Sequence, residues 1–292
     1  MFRIVILAIS IFSLSNQSYA FTAKSRSHLN VVGSSTVYPF AAKIAETFGR
    51  NNNVKTPIIE STGTGGGFKL FCSGIGYNYP DFSDASREVK KSEIARCKKN
   101  GISGIVEIKI GYDGIVVANS KKGQKYNLTK KQIFLALSDK VPNKSGKLVK
   151  NHYKKWSDID AKLPKINISV YGPPSTSGTR DAFIELVMQD ACLKMKEFKA
   201  AYKSKKIRKK KCSIIRNDGK FIEAGENDNL IVQKLRNDKQ ALGIFGFSFL
   251  EENQAIIQAS TINGINPSFE NIVSGDYPVS RPLFIYFKKE HL

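Results

Sequence analysis

Histidine is scarce in this 292-residue chain: there are three, beside a single tryptophan. His28, His152 and His291 stand far apart, and none lies in a motif that would make it the base of a nucleophile or a zinc ligand. Cysteine is limited to four, with no closely spaced pair and no nearby histidine, which disfavours a zinc knuckle. Acids are few, 25 against 46 Lys and Arg, for a formal charge of +21. Beyond the N-terminus no stretch approaches the roughly 20 unbroken apolar residues of a spanning helix. A nucleotide P-loop is missing too. The glycine-rich Gly63 to Lys69 has Phe68 before its lysine and Leu70 where Ser or Thr is required.

What is present begins with a leader. Met1 to Ala20 has Arg3, an apolar run from Ile4 to Leu14, and a small-x-small ending at Ser18-Tyr19-Ala20, so the mature chain is expected to begin near Phe21. Export to an oxidising compartment suits the cysteines. Cys72, Cys97, Cys192 and Cys212 allow three pairings; the nearest-neighbour scheme closes two local loops. Lys194 to Lys211 holds ten basic residues and one acid, Glu197. Its aromatics, Phe198 and Tyr202, make a thin platform for bases, so the run reads as an exposed loop with a solvated face, not a nucleic-acid site.

The informative stretches are junctions rich in Ser, Thr and Gly that open helices. Gly172-Pro-Pro-Ser-Thr-Ser-Gly-Thr-Arg180 runs into Phe183, Leu186, Val187 and Ala191 at helical spacing, and predicts a helix start near Thr179. Gly33-Ser-Ser-Thr-Val-Tyr-Pro39 precedes Phe40, Ile44 and Phe48, again helically spaced, with Pro39 suited to a first turn. Gly63-Thr-Gly-Gly-Gly67 and Asp84-Ala-Ser-Arg87 open two more, the latter leading into a helix over Glu88 to Lys98. A helix start offers unpaired N–H groups and a partial positive charge. Four such starts on one cleft would hold a small tetrahedral oxyanion.

Strands are predicted at Leu29–Val32, Thr56–Glu60, Ile105–Ile110, Ile115–Ala118, Ile166–Tyr171, Gly243–Phe247 and Pro282–Phe287. Helices are predicted from Thr129 to Leu137 and from a cap in Glu226 to Asn229 through Leu235, with Trp156 packing in a short turn. Strands alternating with helices specify an α/β protein whose ligand lies beyond the carboxyl ends of its strands.

The ordered series GSSTVYPF, ESTGTGGGFKLFCSG, DFSDASREVKKSE, GYDGIVVANS, KKWSDI, TSGTRDAF, GENDNLIVQKL…ALGIFGFSFL and YPVSRPLFIYF resembles the periplasmic phosphate-binding protein of the high-affinity phosphate ABC importer, over nearly all of the mature chain. The resemblance implies a two-lobed α/β periplasmic-binding-protein fold with two hinge crossovers and the ligand cleft between lobes. The crossings are expected near Tyr112 to Val117 and near Gly243 to Phe247. Residues 1–20 would be the leader, 21–114 plus 245–292 lobe one, and 115–244 lobe two. The anion-binding positions fall on Ser35, Thr36 and Val37, on Thr64, and on Ser177, Gly178 and Thr179.

Two positions depart from the family pattern. The aspartate that accepts a hydrogen bond from protonated phosphate is replaced by Ser86, and the arginine four residues before Ser177 is Pro173. Arg87 and Arg180 are the candidates for the missing charge, and Asp113, then Asp84, for the missing acceptor. The resemblance implies no enzyme activity, no metal or other cofactor, a monomer in the periplasm, and as partners inorganic phosphate and an inner-membrane ABC permease with its ATPase. A relative taking sulfate or molybdate, or a basic surface-binding adhesion protein, is the alternative.

Overall fold

The computed structural model describes residues 28–34, 36–175, 177–225 and 228–291. The leader, the mature start at Phe21, Ser35, and the cap positions Glu226 and Asn227 lie outside them. In chain order the first half comprises β1 (Asn30–Gly33), α1 (Tyr38–Asn52), β2 (Ile58–Ser61), α2 (Thr64–Phe71), β3 (Phe82–Ala85), α3 (Lys91–Lys99) and the long β4 (Ile105–Ser120). Then come β5 (Asn127–Leu128), α4 (Lys130–Leu137), β6 (Lys140–Pro142), β7 (Leu148–Lys150), β8 (Val170–Gly172), α5 (Gly178–Phe183), a π-helical turn over Ile184–Gln189, α6 (Asp190–Lys194), α7 (Lys196–Ala201), α8 (Lys205–Cys212) and β9 (Phe221–Glu223). The chain ends through α9 (Asp228–Asn237), β10 (Leu242–Gly246), α10 (Phe247–Glu252), β11 (Ile257–Ala259), β12 (Thr261–Ile262), α11 (Phe269–Ser274) and β13 (Ser280–Lys288).

The principal sheet has the order β2-β1-β3-β13-β4-β10-β8-β9, with β11 also paired to β4. Strand β4 is shared by its two halves. Residues 105–114 pair antiparallel with β13, whereas 115–120 pair with β10 and β11. The Gly111-Tyr112-Asp113-Gly114 stretch is continuous with the strands on either side of it, because β13 pairs with it as far as Gly114 and β10 takes over at Ile115. Gly243 to Phe247 do not carry the chain back: β10 lies antiparallel to 115–119, and the first half of the sheet is rejoined at β13. Leu242 to Phe245 are all buried, as the continuous apolar run of a strand covered on both faces must be.

Each half has its own core. Phe68, Phe71, Phe284 and Tyr286 pack with the Cys72–Cys97 disulfide under the first half. Phe134, Trp156, Phe183 and Phe198 pack with Cys192 and Cys212, a second disulfide, against one face of the other half. Val116, Ile231, Leu235 and Phe245 cover its opposite face. The nearest-neighbour cysteine pairing is the one observed.

The helix expected after the Gly33–Pro39 junction is α1, but its apolar stripe is not its buried side, and the loop expected over the basic run is corrected. Phe40, Ile44 and Phe48 are 57%, 61% and 44% exposed, so the apolar stripe of α1 faces solvent. The buried side consists of Ala41, Ala45 and Gly49, small enough to bring the helix close to the chain; a Cβ on Gly49 would stand 2.7 Å from Thr56 Oγ1. The basic run is not a loop but the two short helices α7 and α8.

Candidate functional site

Three of the four junctions follow three neighbouring parallel strands, β2, β1 and β3, and so share one sheet edge. Their close packing depends on glycine. A Cβ on Gly33 would fall 2.0 Å from Asp84 O, and one on Gly67 2.5 Å from Gly33 Cα. After β1, Ser34 organises the start of α1: its Oγ accepts from Thr36 N at 3.2 Å, and its carbonyl from Val37 N at 3.1 Å and Tyr38 N at 2.9 Å. Val37 is buried, and its N–H is thereby committed locally. After β2, Thr64 is the first residue of α2; its Oγ1 lies 3.1 Å from Ser86 Oγ and accepts from Ser86 N at 3.2 Å.

The fourth junction follows β8 in the other half. Its helix begins one residue earlier than predicted. Ser177, not Thr179, is the N-cap, with Oγ accepting from Thr179 N at 3.2 Å. A serine three positions before a buried face caps better than a threonine already inside the first turn.

Thr36 and the Ser177–Thr179 loop line a single cleft of about 1250 Å³, together with Asp113, Asp228 and Ser248. Tyr38, Phe40, Tyr112, Phe249 and Phe269 also line it. Across it Thr36 Oγ1 donates to Gly178 O at 3.1 Å. The same hydroxyl receives a hydrogen bond from Arg281 Nη2. Arg281 also stands with Nε 3.6 Å from Asp113 Oδ2 and Nη1 3.6 Å from Glu185 Oε2. These are ion pairs across a gap and not hydrogen bonds, and Arg281 Nε and Asp113 Oδ2 are buried without partners.

The electrostatics follow from burial. Desolvation lowers the pKa of Arg281, which Asp113 and Glu185 oppose, and a guanidinium stays charged in proteins. Burial pushes the Asp113 carboxyl above the ordinary range against the pull of Arg281. Burial likewise pushes Asp84, whose Oδ1 has no partner, up to about 7, while a backbone bond from Ser34 opposes the rise.

The two arginines singled out from sequence have other partners. Arg87 binds Glu93 through both terminal nitrogens, at 3.0 and 2.8 Å, with its guanidinium 5.7 Å from the Phe68 ring. Burial raises the Glu93 carboxyl, but Arg87 and the Lys90 N–H outweigh it and hold it below the ordinary range. Arg180 donates to Pro173 O at 2.9 Å and lies 4.4 Å over the Phe221 ring; its Nε is buried without a partner. Arg281 was missed by sequence reasoning, although a charge inside the apolar strand Ser280–Lys288 was a signal. Asp228 and Glu185 carried none. Asp228 sits at the start of α9 and accepts from Gly246 N at 3.3 Å.

Comparison with known proteins agrees with this architecture. The PBP superfamily domain profile matches residues 20–292. Protein SphX of Synechococcus elongatus is 31% identical over 264 residues, covering 88% of this chain and 67% of that protein. Phosphate-binding protein PstS of Staphylococcus saprophyticus is 30% identical over 266 residues, covering 89% and 70%. A crystal structure described as a possible phosphate binding protein from Planctomyces limnophilus is similar with a TM-score of 0.70 at 29% identity, over 90% of this chain and 81% of that one. The chain belongs to the PBP superfamily and, within it, to the family of the SphX and phosphate-binding PstS proteins.

Proposed function

We propose that this chain is an extracytoplasmic solute-binding protein that captures inorganic phosphate and delivers it to an inner-membrane ABC permease driven by its ATPase. One observation carries the reading: Thr36 and the Ser177–Thr179 loop, from opposite halves of the sheet, face each other at 3.1 Å with a buried guanidinium beside them. Two hydroxyl-bearing helix starts and a fixed cation are what an oxyanion needs once water is excluded. Thr36, Ser177, Thr179 and Arg281 hold the anion, and Arg180 adds positive charge behind the second loop. Ser35, Val37 and Gly178 are further candidate ligands, Thr64 and Ser86 stand at the neighbouring helix starts, and Arg87 contributes only through Glu93.

Lobe one in this reading is 28–114 with 280–291, and lobe two is 115–279, with both crossings beside Asp113 and Ser280. Closure about them brings Thr36 against Gly178. Phosphate near neutral pH carries a proton and sulfate does not. Asp113 accepts a hydrogen bond from that proton and repels a guest that has none to give. Asp84 is the reserve acceptor. Residues 1–20 act as a cleaved leader, and the family match begins at residue 20.

The test is titration calorimetry of the chain from residue 21 with phosphate, arsenate and sulfate. One phosphate site per chain, with sulfate weaker by roughly tenfold or more, is expected. Equal affinities, or binding of sulfate alone, would replace phosphate with another tetrahedral oxyanion as the ligand.

A further inference from the structure

The segment between Cys192 and Cys212 is tied at both ends to the second core by their disulfide. It therefore projects as a preformed platform of two helices, α7 and α8. All nine lysines of 194–211 are exposed. Among the described residues, Lys194 with Asp190 is the ion pair that reaches the run. The turn of the β6–β7 hairpin, with exposed Lys144 and Lys147, lies beside it: a Cβ built on Gly146 would stand 4.0 Å from Glu197 Cγ. Two separate segments thus contribute to one basic face.

The rings in this run are withdrawn. Phe198 is buried, and half-buried Tyr202 lies 6.3 Å from it, so neither offers a free face to a nucleic-acid base. The one arginine, Arg208, donates to Tyr202 O at 2.8 Å. What projects instead is Ile207, 53% exposed, with Lys210 and Lys211 three and four positions further along α8. Ile214, 41% exposed, follows the helix. Compact ammonium charges around a protruding aliphatic side chain match a layer of anionic headgroups with hydrocarbon beneath.

We propose that α8 and its flanking lysines form a docking face for an anionic phospholipid surface. Binding there is weak, reversible and salt-sensitive, and it confines the protein to two dimensions near a membrane without anchoring it. This face is separate from the anion cleft and does not depend on which ligand the cleft holds.

The experiment is vesicle co-sedimentation of the full mature chain. Vesicles containing phosphatidylglycerol are compared with phosphatidylcholine alone, at about 0.05 and about 0.5 M salt. Preference for the anionic vesicles by at least about tenfold, lost at high salt, is expected. The combined Lys205→Gln, Lys206→Gln, Lys209→Gln, Lys210→Gln and Lys211→Gln variant should lose that preference and keep its phosphate affinity. Ile207→Ser should weaken vesicle binding with the charge unchanged. Equal binding to neutral vesicles, retained binding in the lysine variant, or binding to an oligonucleotide without binding to phosphatidylglycerol would overturn the proposal.

Discussion

Arg281 on β13 donates through Nη2 to the hydroxyl of Thr36, a residue 245 positions earlier in the chain. Thr36 in turn donates to the carbonyl of Gly178. The last strand, the first anion loop and the second are therefore linked through one hydroxyl at the point where β4 passes between the two halves of the sheet.

Removing that guanidinium is the first prediction. Arg281→Gln should reduce phosphate affinity about 10- to 100-fold, the equivalent of about 1.5–3 kcal/mol for a charge-assisted hydrogen bond. Calorimetry reads the loss. Arg281→Lys should recover only part of it, since an ammonium cannot reach Thr36, Asp113 and Glu185 together as a fork does. Arg87→Gln, by contrast, should leave affinity nearly intact and lower stability, because that arginine serves Glu93.

Thr36→Val keeps the shape of the side chain and deletes its hydroxyl. It strands Gly178 O and an Arg281 N–H together. An affinity loss of about tenfold or more is expected, with small-angle scattering showing a larger radius at saturating phosphate.

How far these contacts could be read from sequence depends on their range. The Thr129 cap was legible because its bond from Gln132 N spans three residues. Strands β10 and β13 were legible because their apolar runs are continuous. The stripe Phe40-Ile44-Phe48 had the right spacing, but spacing does not say which side of a helix meets the sheet. Ala41, Ala45 and Gly49 won because they permit a close approach. Arg281 was hidden for the opposite reason. Its partners Thr36, Asp113 and Glu185 belong to three distant segments, and no local pattern joins them.

Asp113→Asn tests selectivity. Replacing the buried carboxylate with an amide leaves a weaker, neutral acceptor for protonated phosphate and adds an NH2 donor, which turns the repulsion of sulfate into a hydrogen bond. The phosphate-to-sulfate affinity ratio should fall by roughly tenfold. An unchanged ratio would move the role to Asp84.

Asp84 has its own signature in stability. Its folded-state pKa of about 7 lies above the ordinary 3.8. Between those values the folded protein keeps a proton that the unfolded chain has lost, so ionisation at higher pH costs stability. This group's contribution is greatest below pH about 4 and falls by up to about 4 kcal/mol as pH rises through about 7. Denaturant melts of Asp84→Asn and the parent from acid to neutral pH should show the variant gaining relative stability as pH rises.

The two disulfides close loops with separations of 25 and 20 residues. Replacing either pair with alanine should lower unfolding free energy by about 3 kcal/mol, measured in urea. Loss of Cys192–Cys212 should also loosen α7 and α8 to proteolysis.

The central claim is that helix starts far apart in the chain converge on one oxyanion. A crystal structure of the mature protein grown with phosphate tests it most directly. The anion should lie in the cleft, within hydrogen-bond reach of Thr36, Ser177 or Thr179 and of Arg281, with Asp113 on its protonated oxygen. Phosphate bound on another surface, or a cleft that stays free of it at saturation, would contradict the account.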